Sequence, residues 1–291
     1  MKANAIVRII FFSLAILILL GLMLGVSVFK SLFTDVKNTV DYGDHFEATE
    51  QLNVHNVTTD IRNIEIDWVA GSITFRKEAH ATEIVVSEFT SVDSKHKMIL
   101  KQSGQTLKIR YSEEDFELIG FGINVDGSKD LVITVPMDWE CNTLEIDSAT
   151  AEVVLNDLTI QEFDFNGASG VCKINNCNIK ELDIDTASGD VHFSGTLETL
   201  DCDAASADCN IEVFNIPRSI KLDGMSGDLE LVLPPDAGFI CDMDTLSGSF
   251  DSDFTFQTHD GAYVCGDGGC KINVNGMSGA VSILKGISNS K

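Results

Sequence analysis

Basic residues are scarce, with 20 Lys and Arg against 45 Asp and Glu in 291 residues and a formal net charge of −25. Nucleic acids and anionic headgroups bind proteins chiefly through Lys and Arg, so this balance argues against nucleic acid as a partner. Proline is also sparse, four in all, while 44% of the chain is hydrophobic. That combination excludes a disordered chain despite the acidity. Paired metal spacing is missing from the histidines, His45, His55, His80, His96, His192 and His259, so they suggest neither a zinc set nor a catalytic base.

What is present begins with Ile9–Phe29, 21 residues without a charge. At 1.5 Å per residue, a helix of that length covers the ~30 Å hydrocarbon core. The run predicts a transmembrane helix over 9–29, after a short cytoplasmic N-terminus at 1–8. A cleaved signal peptide is the alternative, although its apolar region is ordinarily shorter. Lys2 and Arg8 precede the run, and Asp35, Asp41 and Asp44 lie beyond it. The expected location is therefore the cell membrane, single-pass, with the bulk of the chain extracytoplasmic. Residues 30–60 are polar and mixed and suit a juxtamembrane linker.

A repeat dominates the remainder. LEIDSATAEVVL from Leu144, FDFNGASGVCKI from Phe163, LDIDTASGDVHF from Leu182 and LDCDAASADCNI from Leu200 share one frame. It returns from Ile220, Cys241 and Ile272, with an outlier from Ile64. First and third positions are apolar and second and fourth polar, the alternation of a half-buried strand; a small-residue cluster then breaks the strand before alternation resumes. A unit of about 19 residues is too short to fold alone and must stack on its neighbours.

These features predict an all-β, right-handed parallel β-solenoid (a single-stranded β-helix) at 61–287, preceded by one transmembrane helix. The first part, 61–140, keeps strand character but is irregular. Regular repeats occupy 141–287, interrupted by an inserted loop at 254–271. A sandwich or meander of antiparallel hairpins is the competing architecture.

KDLVITVP, from Lys129, followed by ladders of hydrophobic-D-hydrophobic-D-x-x-S-G-D-hydrophobic, resembles the bacterial β-strand-repeat proteins known as putative adhesins, the domain of unknown function 4097 group. The resemblance runs from about Ile64 to Leu284. It implies a cell-surface β-solenoid associated with attachment or envelope stress.

Position four is Asp or Asn in every copy: Asp67, Asp147, Asn166, Asp185, Asp203, Asp223, Asp244 and Asn275. Beside a bend such side chains accept backbone N–H bonds. The functional alternative is calcium held between rungs, with Asp147, Asp185, Asp203 and Asp223 as ligands. Position two adds Glu145, Asp164, Asp183, Asp201 and Asp242, giving two acidic columns on one face.

Eight cysteines on an exported chain are disulfide candidates. The frame nevertheless places Cys202, Cys172 and Cys209 in inward columns, as buried thiols. Cys172 and Cys209 lie two rungs apart, roughly 9–10 Å, beyond the ~7 Å reach of a disulfide. Cys265 and Cys270 flank G-D-G-G outside the regular rungs, where turn-like spacing suits a small disulfide.

Ser169, Ser188, Ser226, Ser247 and Ser278 recur in equivalent bends, which suits turn residues and not a single nucleophile. The reading is a non-enzymatic surface module that needs no cofactor and binds an envelope polymer or surface protein. A scaffold self-associating through solenoid ends is the alternative. A polysaccharide-acting enzyme using paired carboxylates is the more remote one.

Overall fold

Alternation over 141–233 produces strands because inward residues can be buried only if equivalent positions of neighbouring copies lie together. The computed structural model describes residues 50–90, 97–112 and 128–286. Its strands are β1 (Glu50–Val57), β2 (Asn63–Trp68), β3 (Gly71–Glu78), β4 (Ile84–Thr90), β5 (Ile99–Ser103), β6 (Thr106–Arg110) and β7 (Lys129–Pro136). Next come β8 (Cys141–Ser148), β9 (Glu152–Asn156), β10 (Thr159–Gly167), β11 (Cys172–Ser188), β12 (Val191–Ser206) and β13 (Cys209–Val213). The remainder are β14 (Ser219–Ser226), β15 (Leu229–Leu233), β16 (Phe239–Ser252), β17 (Gln257–His259), β18 (Ala262–Cys265) and β19 (Cys270–Lys285).

Through the middle, rung follows rung in parallel register. Leu144 pairs with Phe163, Phe163 with Leu182, Leu182 with Leu200 and Leu200 with Ile220. This column, continued by Ile272 and Cys241, is 0–2% exposed throughout. At about 1.5–3 kcal/mol per buried aliphatic or aromatic side chain, such columns form the core. A second corner joins the rungs at Asp157 and Asn176, both at positive φ (57° and 52°). Asp and Asn tolerate that region, and Asn176 Nδ2 donates to Asp157 Oδ1 at 2.5 Å.

The S-G signature has a cause beyond turning the chain. Gly189 has φ +129°, and a Cβ built on it would lie 1.8 Å from Gly170 O of the adjacent rung. Gly71 stands in the same relation to Lys129 O, at 2.0 Å. The column is glycine where backbone meets backbone.

Both ends correct the sequence-based picture. A single right-handed coil advancing in one direction is not the architecture, because chain order and stacking order part company. β2 and β3 lie between β6–β7 and β8–β9, so the rung at 106–136 stacks outside the earlier one. Likewise β19 inserts between β14–β15 and β16, placing the later segment inside the earlier.

Antiparallel strands are added at these ends: β1 on β4, β4 on β7, β5 on β6, and β18 on both β16 and β17. The physical reason lies in the ends themselves. The terminal rungs of a stack present unpaired strand edges, and doubling back covers them. The fold is all-β and solenoid-like, with no helix among the described residues.

Other expectations change with this. The irregular part holds a complete rung, in which Leu107, Ile109, Leu131 and Ile133 are buried in frame. The inserted loop at 254–271 contains the β17–β18 hairpin, turning at Asp260 and Gly261, both at positive φ. The linker at 30–60 ends in β1. The helix expected at 9–29 lies outside the described residues, and none of those described forms a helix long and apolar enough to cross a membrane.

Candidate functional site

Parallel register turns the two polar positions of each repeat into continuous outward columns. One runs Lys108, Glu65, Glu145, Asp164, Asp183, Asp201 and Lys221, each paired with the next across strands. The adjacent one runs Arg110, Asp67, Asp147, Asn166, Asp185, Asp203, Asp223 and Asn275. Basic side chains stand at the ends of this face. Lys108 pairs with Glu65, and Arg110 Nε lies 3.1 Å from Asp67 Oδ2. At the other end Lys221 Nζ reaches Asp223 Oδ2 at 2.8 Å, Asp201 Oδ1 at 2.9 Å and Asp203 Oδ1 at 3.4 Å.

Strand spacing of about 4.8 Å crowds like charges, and protonation responds. Partial burial, then the charges of Asp183, Glu145, Asp147 and Asp185, push Asp164 up to about 6. Burial also raises Glu145, Asp147 and Asp203, with neighbouring carboxylates adding to each. Asp147 Oδ1 is buried without a hydrogen-bond partner. Around Lys221 the balance reverses. Burial alone would lower its ammonium and raise Asp223, but their mutual hydrogen bond raises the first and lowers the second.

A group whose folded pKa exceeds its unfolded value favours folding while protonated, and that contribution is lost as pH rises through the folded value. For Asp164 the window runs from about 4 to about 6. Asp164→Asn is therefore expected to leave stability unchanged near pH 4 and to raise it by about 1 kcal/mol at pH 7.5, after allowance for partial exposure. Urea titrations of both proteins at the two pH values check this; an equal difference at both would contradict it.

Of the proposed calcium ligands, Asp185, Asp203 and Asp223 occupy consecutive rungs, and Asn166 separates Asp147 from them. Lys221 already lies against Asp203 and Asp223. Among the described residues no group of three or more His, Cys, Asp or Glu could hold a metal ion. At the bends, side chains after the S-G step accept backbone amides: Asp208 Oδ1 from Asp228 N at 2.9 Å, and Asp228 Oδ1 from Ala280 N at 2.8 Å.

Cys265 and Cys270 are not brought together. They pair with Phe239 from β18 and β19 respectively, and both are free, buried thiols. Cys172 and Cys209 take the inward column with Val191 between them. Cys202 and Cys209, by contrast, have their sulfurs 3.9 Å apart.

One feature escaped sequence reasoning altogether. Lys129 and Glu88 form a fully buried ion pair, Nζ to Oε1 2.5 Å, with both side chains 0% exposed. Lys129 Nζ also donates to Tyr111 O and lies 3.8 Å from the Tyr111 ring centroid and 5.2 Å from that of Trp68. Met98 N donates to both Glu88 oxygens at 3.1 Å. Burial lowers Lys129, opposed by Glu88. The available signal was Glu88 itself, a charge at an inward position in the alternation Ile84, Val86, Glu88, Thr90.

A family model described as Toastrack DUF4097 matches residues 61–284. Among solved structures, one described as a putative adhesin from Bacteroides fragilis is 11% identical, with TM-score 0.45, over 82% of this chain and 100% of that one. A putative cell adhesion protein from Clostridium sporogenes is 10% identical, with TM-score 0.39, over 81% and 100%. A putative lipid binding protein from Parabacteroides distasonis is 13% identical, with TM-score 0.36, over 81% and 96%. No curated protein matches the chain.

Proposed function

The chain belongs to the Toastrack DUF4097 family, and we propose that it is a non-enzymatic, adhesin-type surface module that binds a cationic envelope polymer or a basic surface protein. The observation carrying this reading is the carboxylate face, whose two columns stay in register from Glu65 and Asp67 to Asp201 and Asp223. Its repeat of about 4.8 Å presents charge at fixed intervals, which suits an extended polycation better than a compact molecule. A cavity at the bends, about 60 Å³, is small beside the ~300–1,000 Å³ clefts that hold small-molecule substrates. The uncharged stretch Ile9–Phe29 supports placement outside the cytoplasm; cleavage of the domain by protease added to intact cells checks it.

Poly-L-lysine is the test ligand. Binding is expected to strengthen from pH 5 to pH 7.5 as Asp164 ionises, and to weaken as salt is raised. Joint replacement of Asp164, Asp183 and Asp201 by Asn is expected to weaken it at least tenfold, or about 1.4 kcal/mol. Binding that ignores those substitutions removes the reading.

One observation favours a second reading, end-to-end self-assembly. Among the described residues β16 is paired on its outer side only at Phe239–Cys241, by β18, which leaves Asp242–Ser252 as an edge strand. Light scattering that rises with protein concentration in the absence of polycation would favour it.

A further inference from the structure

Positions three and ten of each copy lie seven residues apart on either side of the bend: Ile146 and Val153, Ile184 and Val191, Leu222 and Leu229. All six are buried. In the rung formed by β12 and β13 both positions are cysteine, Cys202 and Cys209, 1% and 6% exposed, with sulfurs 3.9 Å apart. The wall beside them is thin, because the bend columns there carry Ala204, Ala207, Gly224 and Gly227. These residues and the two thiols line the cavity of about 60 Å³, room for a few water-sized molecules.

We propose that Cys202 and Cys209 are a redox dithiol that hydrogen peroxide converts to a disulfide across the bend. The sulfurs need to approach by only about 2 Å to reach bonding distance. The Cys209 thiolate attacks one peroxide oxygen; the O–O bond breaks, a sulfenic S–OH forms, and the departing hydroxide takes the proton Cys209 gave up. The Cys202 sulfur then displaces the hydroxyl, which leaves as water with the Cys202 proton. Two thiols and one peroxide become one disulfide and two waters, the sulfurs losing two electrons.

The pair is set apart from the other thiols. The two sulfurs share one hydrogen bond that either thiol can donate, and this contact lowers Cys209 against the opposing effect of its burial while raising Cys202. Burial pushes Cys141, Cys172, Cys241 and Cys270 up to about 12, where thiolate is negligible at neutral pH. Cys172 is two strands from Cys209, with Val191 between. Closure also pulls on the strand carrying Asp201 and Asp203, both partners of Lys221.

The test uses the full chain, reduced, in mild detergent. It is treated with hydrogen peroxide, alkylated under denaturing conditions, digested and mapped by mass spectrometry. The expected result is a joined pair of peptides carrying Cys202 and Cys209, lighter by two hydrogens, reversible by dithiothreitol, and formed before the other six cysteines react. In Cys202→Ser, dimedone is expected to trap Cys209 as the sulfenic acid, whereas Cys172→Ser leaves the link intact. A first link made through Cys172, or a Cys202–Cys209 pair that stays fully alkylatable while other thiols oxidise, overturns the proposal. The unmutated chain decides the matter even if a variant fails to fold.

Discussion

Glu88→Gln is expected to destabilise the protein by about 3–5 kcal/mol, a large share of the 5–15 kcal/mol typical of a folded domain. The substitution keeps shape and an acceptor for Met98 N but removes the charge facing Lys129 Nζ at 2.5 Å, where both side chains are 0% exposed. An ammonium then stays in the interior without its counter-charge, and the nearby Trp68 and Tyr111 rings recover only part of that cost. The joint change Glu88→Gln with Lys129→Met is expected to regain most of the loss, since a buried pair replaced as a unit is often neutral. Lys108→Gln supplies the contrast. Its pair with Glu65 has side chains 50% and 38% exposed and should contribute under about 1 kcal/mol. Urea unfolding of the four proteins decides; equal losses for Glu88→Gln and Lys108→Gln would show that burial does not set the strength of the pair.

That pair also marks where sequence reasoning stops. Within 141–233 period-2 alternation and the S-G step act locally, so a frame found in Leu182–Phe193 places Leu144, Phe163 and Leu200 in the same column, and the structure keeps them there. The acidic columns follow from the same frame. Stacking order at the ends is a different matter, because β6 pairs with β2 across 43 positions and nothing in either strand's alternation names its neighbour. The rung at 106–136 was hidden by the long separation of its halves, β6 and β7, which replaces the short small-residue bend. The Cys202–Cys209 pair was within reach: the frame put both inward, and comparison along the chain dimension, across one bend, would have shown them opposed. Cys265 and Cys270 are close in sequence yet lie on strands either side of β16, a separation that residue spacing does not reveal.

Gly189→Ala is expected to cost upwards of about 3 kcal/mol, although it adds a single methyl group at a bend. Two effects combine. The residue has φ +129°, where an L side chain is strained, and the new Cβ would meet Gly170 O at 1.8 Å. Gly170 has little freedom to retreat: it is itself at φ +130°, and a Cβ there would lie 2.4 Å from Ala151 O of the next rung. Displacement would therefore pass along the glycine column, disturbing the parallel pairing on which the core columns and the carboxylate face depend. Alanine does occur in this column, at Ala151 and Ala207, but neither is at positive φ, and at Ala151 the backbone N–H is taken by Ser148 Oγ at 2.9 Å. An alanine at 189 would need its bend rebuilt in that other form. Gly104→Ala separates strain from contact, since Gly104 has φ +58° with nothing within 4 Å of its would-be Cβ, and should cost only about 1–2 kcal/mol. Urea unfolding of the two variants beside the unmutated protein is the measurement; if they lose stability equally, close backbone approach is not what the repeated glycine provides.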